Sequence, residues 1–277
     1  MKMLNLPNSV FVDCTASDLI AAKYEEILGS NISIVTPNKR ANSAGYDKYL
    51  RLKKAAKNHG VKFLYETNVG GGLPIISTIQ DLIYSGDKIL KIEAVLSGTL
   101  SYIFNNFKGD RTFTEVVKEA KALGLTEPDP REDLNGMDVA RKLLILARES
   151  GMALEMKDIP VESLVPEECR NASSAGDFFE KLAKCEKQLN DRKDKAEMND
   201  KASRYIARFE NGIAEVRLEA VDNSHPFYSM SGSDNIISLK TNRYLDRPLV
   251  IKGPGAGADV TAAGVFADII SIGNYLA

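Results

Sequence analysis

Asp138 and Lys142 stand four residues apart in the run GMDVARKLLILA at 136–147, so on a helix their side chains project side by side. On an exposed helix this is a surface ion pair worth roughly 0.3–0.5 kcal/mol. Here Met137, Val139, Ala140, Leu143 and Leu144 surround the two residues, which predicts partial burial. A partly desolvated lysine is drawn toward the range where it exchanges a proton near neutral pH, and a neighbouring carboxylate orients it or binds a substrate group. Both readings of the pair stand on residue types alone.

Just upstream, TEPDPRED at 126–133 supplies Glu127, Asp129, Glu132 and Asp133 between stiffening prolines. Such a loop holds a carboxylate toward a cationic group such as an amino-acid ammonium, or it is a solvated loop with Asp133 or Asn135 capping the next helix. GPGAG at 253–257 opens an apolar helix. The turn either packs tightly or aims backbone N–H groups and the helix's positive end at an anion or a nicotinamide amide. Glu66 with GGG at 70–72 is a plain strand-to-helix turn or, with exposed carbonyls, a monovalent-cation site. Lys39 follows a strand end and faces ligand or water. His59 and His225 stand alone and read as structural.

These residues need elements to position them. The first third alternates strand and helix: a strand at 10–12, a helix at 18–28, a strand at 32–35, a helix at 46–58 and a strand at 61–65, with a further helical stretch after Gly72. That order implies a parallel sheet, with its polar turns and any ligand at the strands' carboxyl ends. The middle reads differently. A strand at 91–96 leads into a turn and cap, SGT at 97–99, for a helix at 100–107. A second helix ends at Gly124, a third runs over 136–150, and a charged helical region spans 177–203. Antiparallel strands at 204–221 and 236–251 complete an α+β unit, expected to need a partner over an apolar face. The last helix, to about residue 272, is expected to return to the first domain. The expected boundaries are 1–76, 77–250 and 251–277.

The 277 residues are 44% hydrophobic and 27% charged, enough for a proper core in one large or two moderate domains. A net charge of −2, with both signs interspersed, points away from nucleic acid and anionic membranes. Cys14, Cys169 and Cys185 are odd in number and far apart, fitting neither a disulfide framework nor a metal knuckle. They predict a reducing, cytoplasmic setting. No apolar run approaches a membrane span, and the first ten residues lack a signal-peptide core.

Five segments together resemble homoserine dehydrogenase over nearly the whole chain: TPNKR at 36–40, ETNVGGGLPI at 66–75, LSGTLSYIF at 96–104, LGLTEPDPREDLNGMDVARK at 123–142 and GPGAGADVTAAG at 253–264. The third and fourth are similar to the dehydrogenase half of bifunctional aspartokinase–homoserine dehydrogenases. The resemblance implies a Rossmann-like α/β domain, incomplete here, joined to an α+β substrate-binding and dimerisation domain. It implies NADP- or NAD-dependent interconversion of L-homoserine and L-aspartate 4-semialdehyde, on the route to threonine, methionine and isoleucine. A homodimer is implied, fused or not to an aspartokinase.

The resemblance also implies roles for residues. Lys142 moves the proton, with Lys39 near the nicotinamide sharing that work. Asp138, Glu127 and Thr99 bind substrate. Thr15, Lys39, Gly124 and Gly257 contact cofactor, and Glu66 holds sodium with the carbonyls of Val69, Gly71 and Leu73. Family members open with a Gly-x-Gly-x-x-Gly turn, and none stands before Val10. The chain is therefore expected to start inside the nucleotide-binding domain and to bind cofactor weakly. Two alternatives stay open: a catalytically silent dimerisation and substrate-binding fragment of that enzyme, or another two-domain NAD(P)-dependent dehydrogenase.

Overall fold

Three short strands, Val10–Val12 (β1), Ser33–Val35 (β2) and Phe63–Leu64 (β3), pair in parallel in the order β1-β2-β3. Their registers run Val10 to Ser33, Phe11 to Ile34, Val12 to Val35 and Ile34 to Phe63. The computed structural model of the chain describes residues 6–276. The chain folds as two compact units. The first takes the chain up to Lys88, then Leu144–Asp158 and the segment from Pro254 on; the second takes Ile89–Leu143 and Ile159–Gly253.

In the first unit, helix α3 (Tyr46–Asn58) matches its expected bounds because Tyr49, Leu52 and Ala56 recur on one buried stripe while lysines face out. The helix expected at 18–28 is two pieces, Asp18–Ala21 (α1) and Tyr24–Leu28 (α2). Between them Lys23 N–H reaches back only three residues, to Ile20 O, at 2.9 Å. This tighter turn leaves Tyr24 fully buried, its hydroxyl at the strand ends.

Helix α4 (Ile76–Tyr84) belongs to this unit, so the first boundary falls at Lys88 rather than at residue 76. The Glu66 carboxylate caps α4, and Gln80 on α4 donates to Glu149 at 2.7 Å. Residues 144–158 also join the first unit instead of staying in the middle domain. The last helix, α11 (Ala258–Leu276), packs on β2, with Val265 and Ile272 against Val35.

The second unit is built on a five-stranded sheet in the order β6-β5-β4-β7-β8, formed by Ile89–Val95 (β4), Ala202–Glu210 (β5), Ile213–Val221 (β6), Asp234–Thr241 (β7) and Leu249–Pro254 (β8). The β4–β5, β5–β6 and β4–β7 pairings are antiparallel. Its helices are Gly98–Asn106 (α5), Phe113–Ala122 (α6), Arg131–Leu134 (α7), the first half of Met137–Glu149 (α8), Ala175–Cys185 (α9) and Lys187–Met198 (α10). The helical region expected over 177–203 breaks at Glu186 and ends at Met198. The buried Glu186 carboxylate accepts Thr114 N–H in the first turn of α6 at 2.6 Å, and the strand begins at Ala202.

The sheet face expected to be apolar and bare is mostly charged. Glu93 pairs with Arg208 and Lys91, each at 3.0 Å, and Arg208 with Glu219 at 2.7 Å. Burial opposes ionisation of Glu93, but His225, Lys91 and Arg208 win and bring its carboxyl down to about 2. The apolar end of this face, Val95, Ile206, Val221 and Ile236, is covered by Phe227 and Met230 of the same chain.

Candidate active site

In the second unit, α8 begins where Gly136 takes φ +74, a left-handed backbone that favours glycine. A Cβ there would stand 2.0 Å from the Tyr205 hydroxyl, which donates to Glu162 O at 2.6 Å. Both constraints set the origin of the helix carrying Asp138 and Lys142. Gly136→Ala is expected to destabilise the protein by at least about 1–3 kcal/mol, read as a lower urea midpoint. An unchanged midpoint would show that Tyr205 yields freely.

One turn on, Lys142 Nζ lies 2.8 Å from Asp138 Oδ2 and donates to Leu96 O at 2.7 Å. The lysine side chain is 13% exposed and the aspartate 45%, so the cation sits mostly under cover with its partner at the opening. This is the partial burial predicted from the surrounding apolar residues. Leu96 is the residue just past β4, so strand and helix both hold the ammonium.

Beside this pair, Ser97 caps α5 by accepting Leu100 N–H at 3.1 Å, as the SGT turn implied. That places Thr99 in the first helical turn. Thr99 Oγ1 donates to Leu125 O at 2.5 Å and lies 3.0 Å from Asp133 Oδ1. The other Asp133 oxygen accepts Glu127 N–H at 2.8 Å, leaving the exposed Glu127 side chain at the surface of the turn. Burial raises the Asp133 carboxyl, and the charges of Glu127 and Asp138 push the same way against those two hydrogen bonds.

Asp133 was among the four loop carboxylates but not among the expected site residues. It is the one that ties Thr99 to the Glu127 turn. Its only sequence signal was a place one turn ahead of Asp138. Asp129 instead pairs with Arg131, which also donates to Arg170 O and Ala172 O. Gly124, at φ +70, ends α6, and Leu125 N–H returns to Ala120 O at 3.0 Å. The helix stop alone therefore requires a glycine there.

In the first unit, Thr15 and Lys39 lie at adjacent strand ends, after β1 and β2. Buried Asp13 accepts Thr15 N–H at 2.8 Å, Asn38 Nδ2–H at 3.1 Å and the Tyr24 hydroxyl. Burial opposes its charge, but these donors hold the carboxyl below the ordinary range. Thr36 Oγ1 donates to Asp13 O at 2.8 Å, so the two turns are laced together beneath Thr15, which is exposed, and Lys39, which is half-buried. None of these four supporting residues was among the expected site residues, although Thr36 and Asn38 stand in the TPNKR run. Asp13 lies 11 to 25 positions from the other three across the strands.

Glu66 accepts the N–H groups of Ile75 and Ile76 at 2.6 Å each and of Ser77 at 2.8 Å, the cap expected of a strand-to-helix turn. Its own N–H donates to Asp268 on α11 at 3.1 Å, and burial raises the Asp268 carboxyl to about 6. Gly72 packs against α11, where a Cβ would meet Val260 O at 2.8 Å. Gly257, φ +122, has no atom within 4 Å of the place a Cβ would take. Among the described residues no three His, Cys, Asp or Glu side chains gather as a metal site, and no helix is long and apolar enough to cross a membrane.

The structure thus places Thr99, Glu127, Gly124, Asp138 and Lys142 in one unit, and Thr15, Lys39, Glu66, Val69, Gly71, Leu73 and Gly257 in the other. The sequence profile described as homoserine dehydrogenase matches residues 74–270, and the one described as its NAD binding domain matches residues 1–66. The bifunctional aspartokinase/homoserine dehydrogenase 1, chloroplastic, of Zea mays is 51% identical over 98% of this chain, which spans 30% of that protein's length. Homoserine dehydrogenase of Schizosaccharomyces pombe is 48% identical over 95% of this chain and 72% of its own. A hyperthermophilic archaeal homoserine dehydrogenase solved in complex with NADPH superposes with a TM-score of 0.73, at 26% identity over 96% of this chain and 72% of that one. With a fungal relative at 48% identity over most of both lengths, the chain belongs to the homoserine dehydrogenase family.

Proposed function

We propose that the protein carrying this sequence interconverts L-homoserine and L-aspartate 4-semialdehyde with NADP or NAD. The observation that carries the reading is the covered Lys142 ammonium, held at 2.7 Å by the Leu96 carbonyl and at 2.8 Å by Asp138. When bound, the nicotinamide accepts or returns hydride at the substrate's C4. In the reductive direction the Lys142 ammonium gives a proton to the carbonyl oxygen at C4, and in the oxidative direction the neutral amine takes the C4 hydroxyl proton back. Asp138 keeps the ammonium aimed while leaving one face open, and it binds the substrate beside it. Glu127 takes the substrate ammonium, and Thr99, braced by Leu125 and Asp133, lines the same turn.

Thr15, Lys39, Gly124 and Gly257 are assigned to the cofactor, with Lys39 sharing the proton work. The open space at Gly257 and the laced turns at Thr15 and Lys39 fit that assignment. NADPH in the archaeal relative supports a phosphorylated nicotinamide dinucleotide. Sodium is assigned to Glu66 with the carbonyls of Val69, Gly71 and Leu73, an all-oxygen set suited to a hard cation. Glu66 already serves three N–H donors and Leu73 O accepts Ile75 N–H at 2.9 Å, yet carboxylate and carbonyl keep further lone pairs.

The reading includes a homodimer, residence in a reducing cytoplasm supported by the free thiols, and a place in the making of threonine, methionine and isoleucine. It also allows fusion to an aspartokinase, as in the maize relative's name. Glu127→Gln and Asp138→Asn are each expected to raise KM for homoserine by about 10-fold or more, with KM for the nucleotide little changed. Unchanged homoserine KM in both variants would remove them from the substrate's site.

A further inference from the structure

Two of the three cysteines meet in the fold although sixteen positions separate them in the chain. Cys169 closes the 3-10 turn Glu167–Cys169 and is fully buried, whereas Cys185 is the last residue of α9 and half-buried. The turn packs on that helix, and Cys185 shares a cavity wall with Glu167 and Glu168, the two residues just before Cys169. A cavity of about 460 Å³ opens beside them, lined by Glu167, Glu168, Lys184, Cys185 and Gln188. Both elements lie within the second unit.

We propose that Cys169 and Cys185 form an oxidisable dithiol, closed to a disulfide by a small-molecule disulfide that enters this cavity. The order of attack follows from their surroundings. Burial, with Cys185 beside it, pushes the Cys169 thiol up to about 11, so Cys169 is the poorer first nucleophile. Cys185, which lines the cavity, attacks as thiolate on one sulfur of the small disulfide and expels the other half as a thiolate. The mixed disulfide then stands next to Cys169. Cys169 loses its proton, attacks the Cys185 sulfur and displaces the second small thiolate. Two protein thiols and one small disulfide thus become one protein disulfide and two small thiols. Two electrons and two protons pass to the small molecule. The bond ties the 167–169 turn to the end of α9, and a dithiol reductant reverses it.

The test uses oxidised glutathione on the whole protein with Cys14, the exposed third cysteine, replaced (Cys14→Ser). Intact mass and non-reducing peptide mapping are read before and after dithiothreitol. The expected product has lost about two mass units, shows no remaining free thiol and yields one peptide joining Cys169 to Cys185. Cys169→Ser should stop at a stable glutathione adduct on Cys185, whereas Cys185→Ser should stay largely unmodified. Circular dichroism confirms that each variant is folded. Wild-type protein that keeps both thiols free under this treatment, or that holds a persistent adduct on Cys185 with no cross-link, would overturn the proposal. An adduct forming first on Cys169 in Cys185→Ser would overturn the order of attack.

Discussion

Lys142→Ala is expected to lower kcat by about 10²–10⁴-fold while the protein stays folded, because the substitution removes the group assigned to move the hydroxyl proton. The structural cost should be modest. Asp138, the ionic partner, is nearly half exposed and regains water, so the pair itself contributes at most about 1 kcal/mol. The Leu96 carbonyl loses one donor, a further cost of about 1–3 kcal/mol if no water replaces it. A collapse in kcat out of proportion to the loss of stability, in a protein that stays folded, is therefore the signature. Lys142→Arg separates charge from proton transfer, since a guanidinium keeps the ion pair but does not give up its proton. It should be nearly as slow as the alanine variant. Near-normal turnover in Lys142→Ala would take the lysine out of the mechanism.

The largest expected loss of stability lies at Glu149, at the other end of the same helix. Its carboxylate, 3% exposed, accepts from Tyr65 at 2.6 Å, Gln80 at 2.7 Å and Tyr49 at 2.8 Å, with Lys53 at 3.1 Å. Burial alone would raise this carboxyl, but Lys53, Tyr65, Gln80 and Tyr49 outweigh it and hold the group below its ordinary value. Glu149→Ala leaves the Tyr49 and Tyr65 hydroxyls and the Gln80 amide without this acceptor and Lys53 without its counter-charge. The expected cost is about 3–5 kcal/mol, or a fall in Tm on the order of 10 °C. A depressed folded-state pKa means that the ionised form stabilises the fold. That stabilisation is complete above the unfolded value, near ~4.3, and is lost as the pH falls through the folded value. The gap between wild type and Glu149→Gln should therefore narrow below about pH 4. A gap that widens in acid would reverse the sign of the argument.

What could be read in advance followed local pattern, and what could not depended on distant partners. Helix α3 was legible because Tyr49, Leu52 and Ala56 repeat at helical spacing. The cap at Ser97 and the stop at Gly124 were legible because turn chemistry is local. The break between α1 and α2 was not, since it depends on Tyr24 finding Asp13 and Thr36 across two strands. In β6, Glu215, Arg217 and Glu219 alternate with Ala214, Val216 and Leu218. That pattern marks one charged and one apolar face, yet only tertiary packing decides which face the helices take. Asp138 and Lys142 stood out because both sit on one helix. Asp133 did not, because four carboxylates within seven residues look alike until Thr99 and the Glu127 N–H select one. Cys169 and Cys185 looked unrelated for the same reason.

The most direct test is an initial-rate assay of the protein carrying this sequence, following NADPH oxidation with L-aspartate 4-semialdehyde and identifying the product by mass. The predicted result is nucleotide consumption matched one-to-one by L-homoserine, saturating in both substrates, with the reverse reaction supported by NADP and with Lys142→Ala slowed by orders of magnitude. Folded protein that turns over neither the semialdehyde nor homoserine with either nucleotide, or that does so equally well without Lys142, would contradict it.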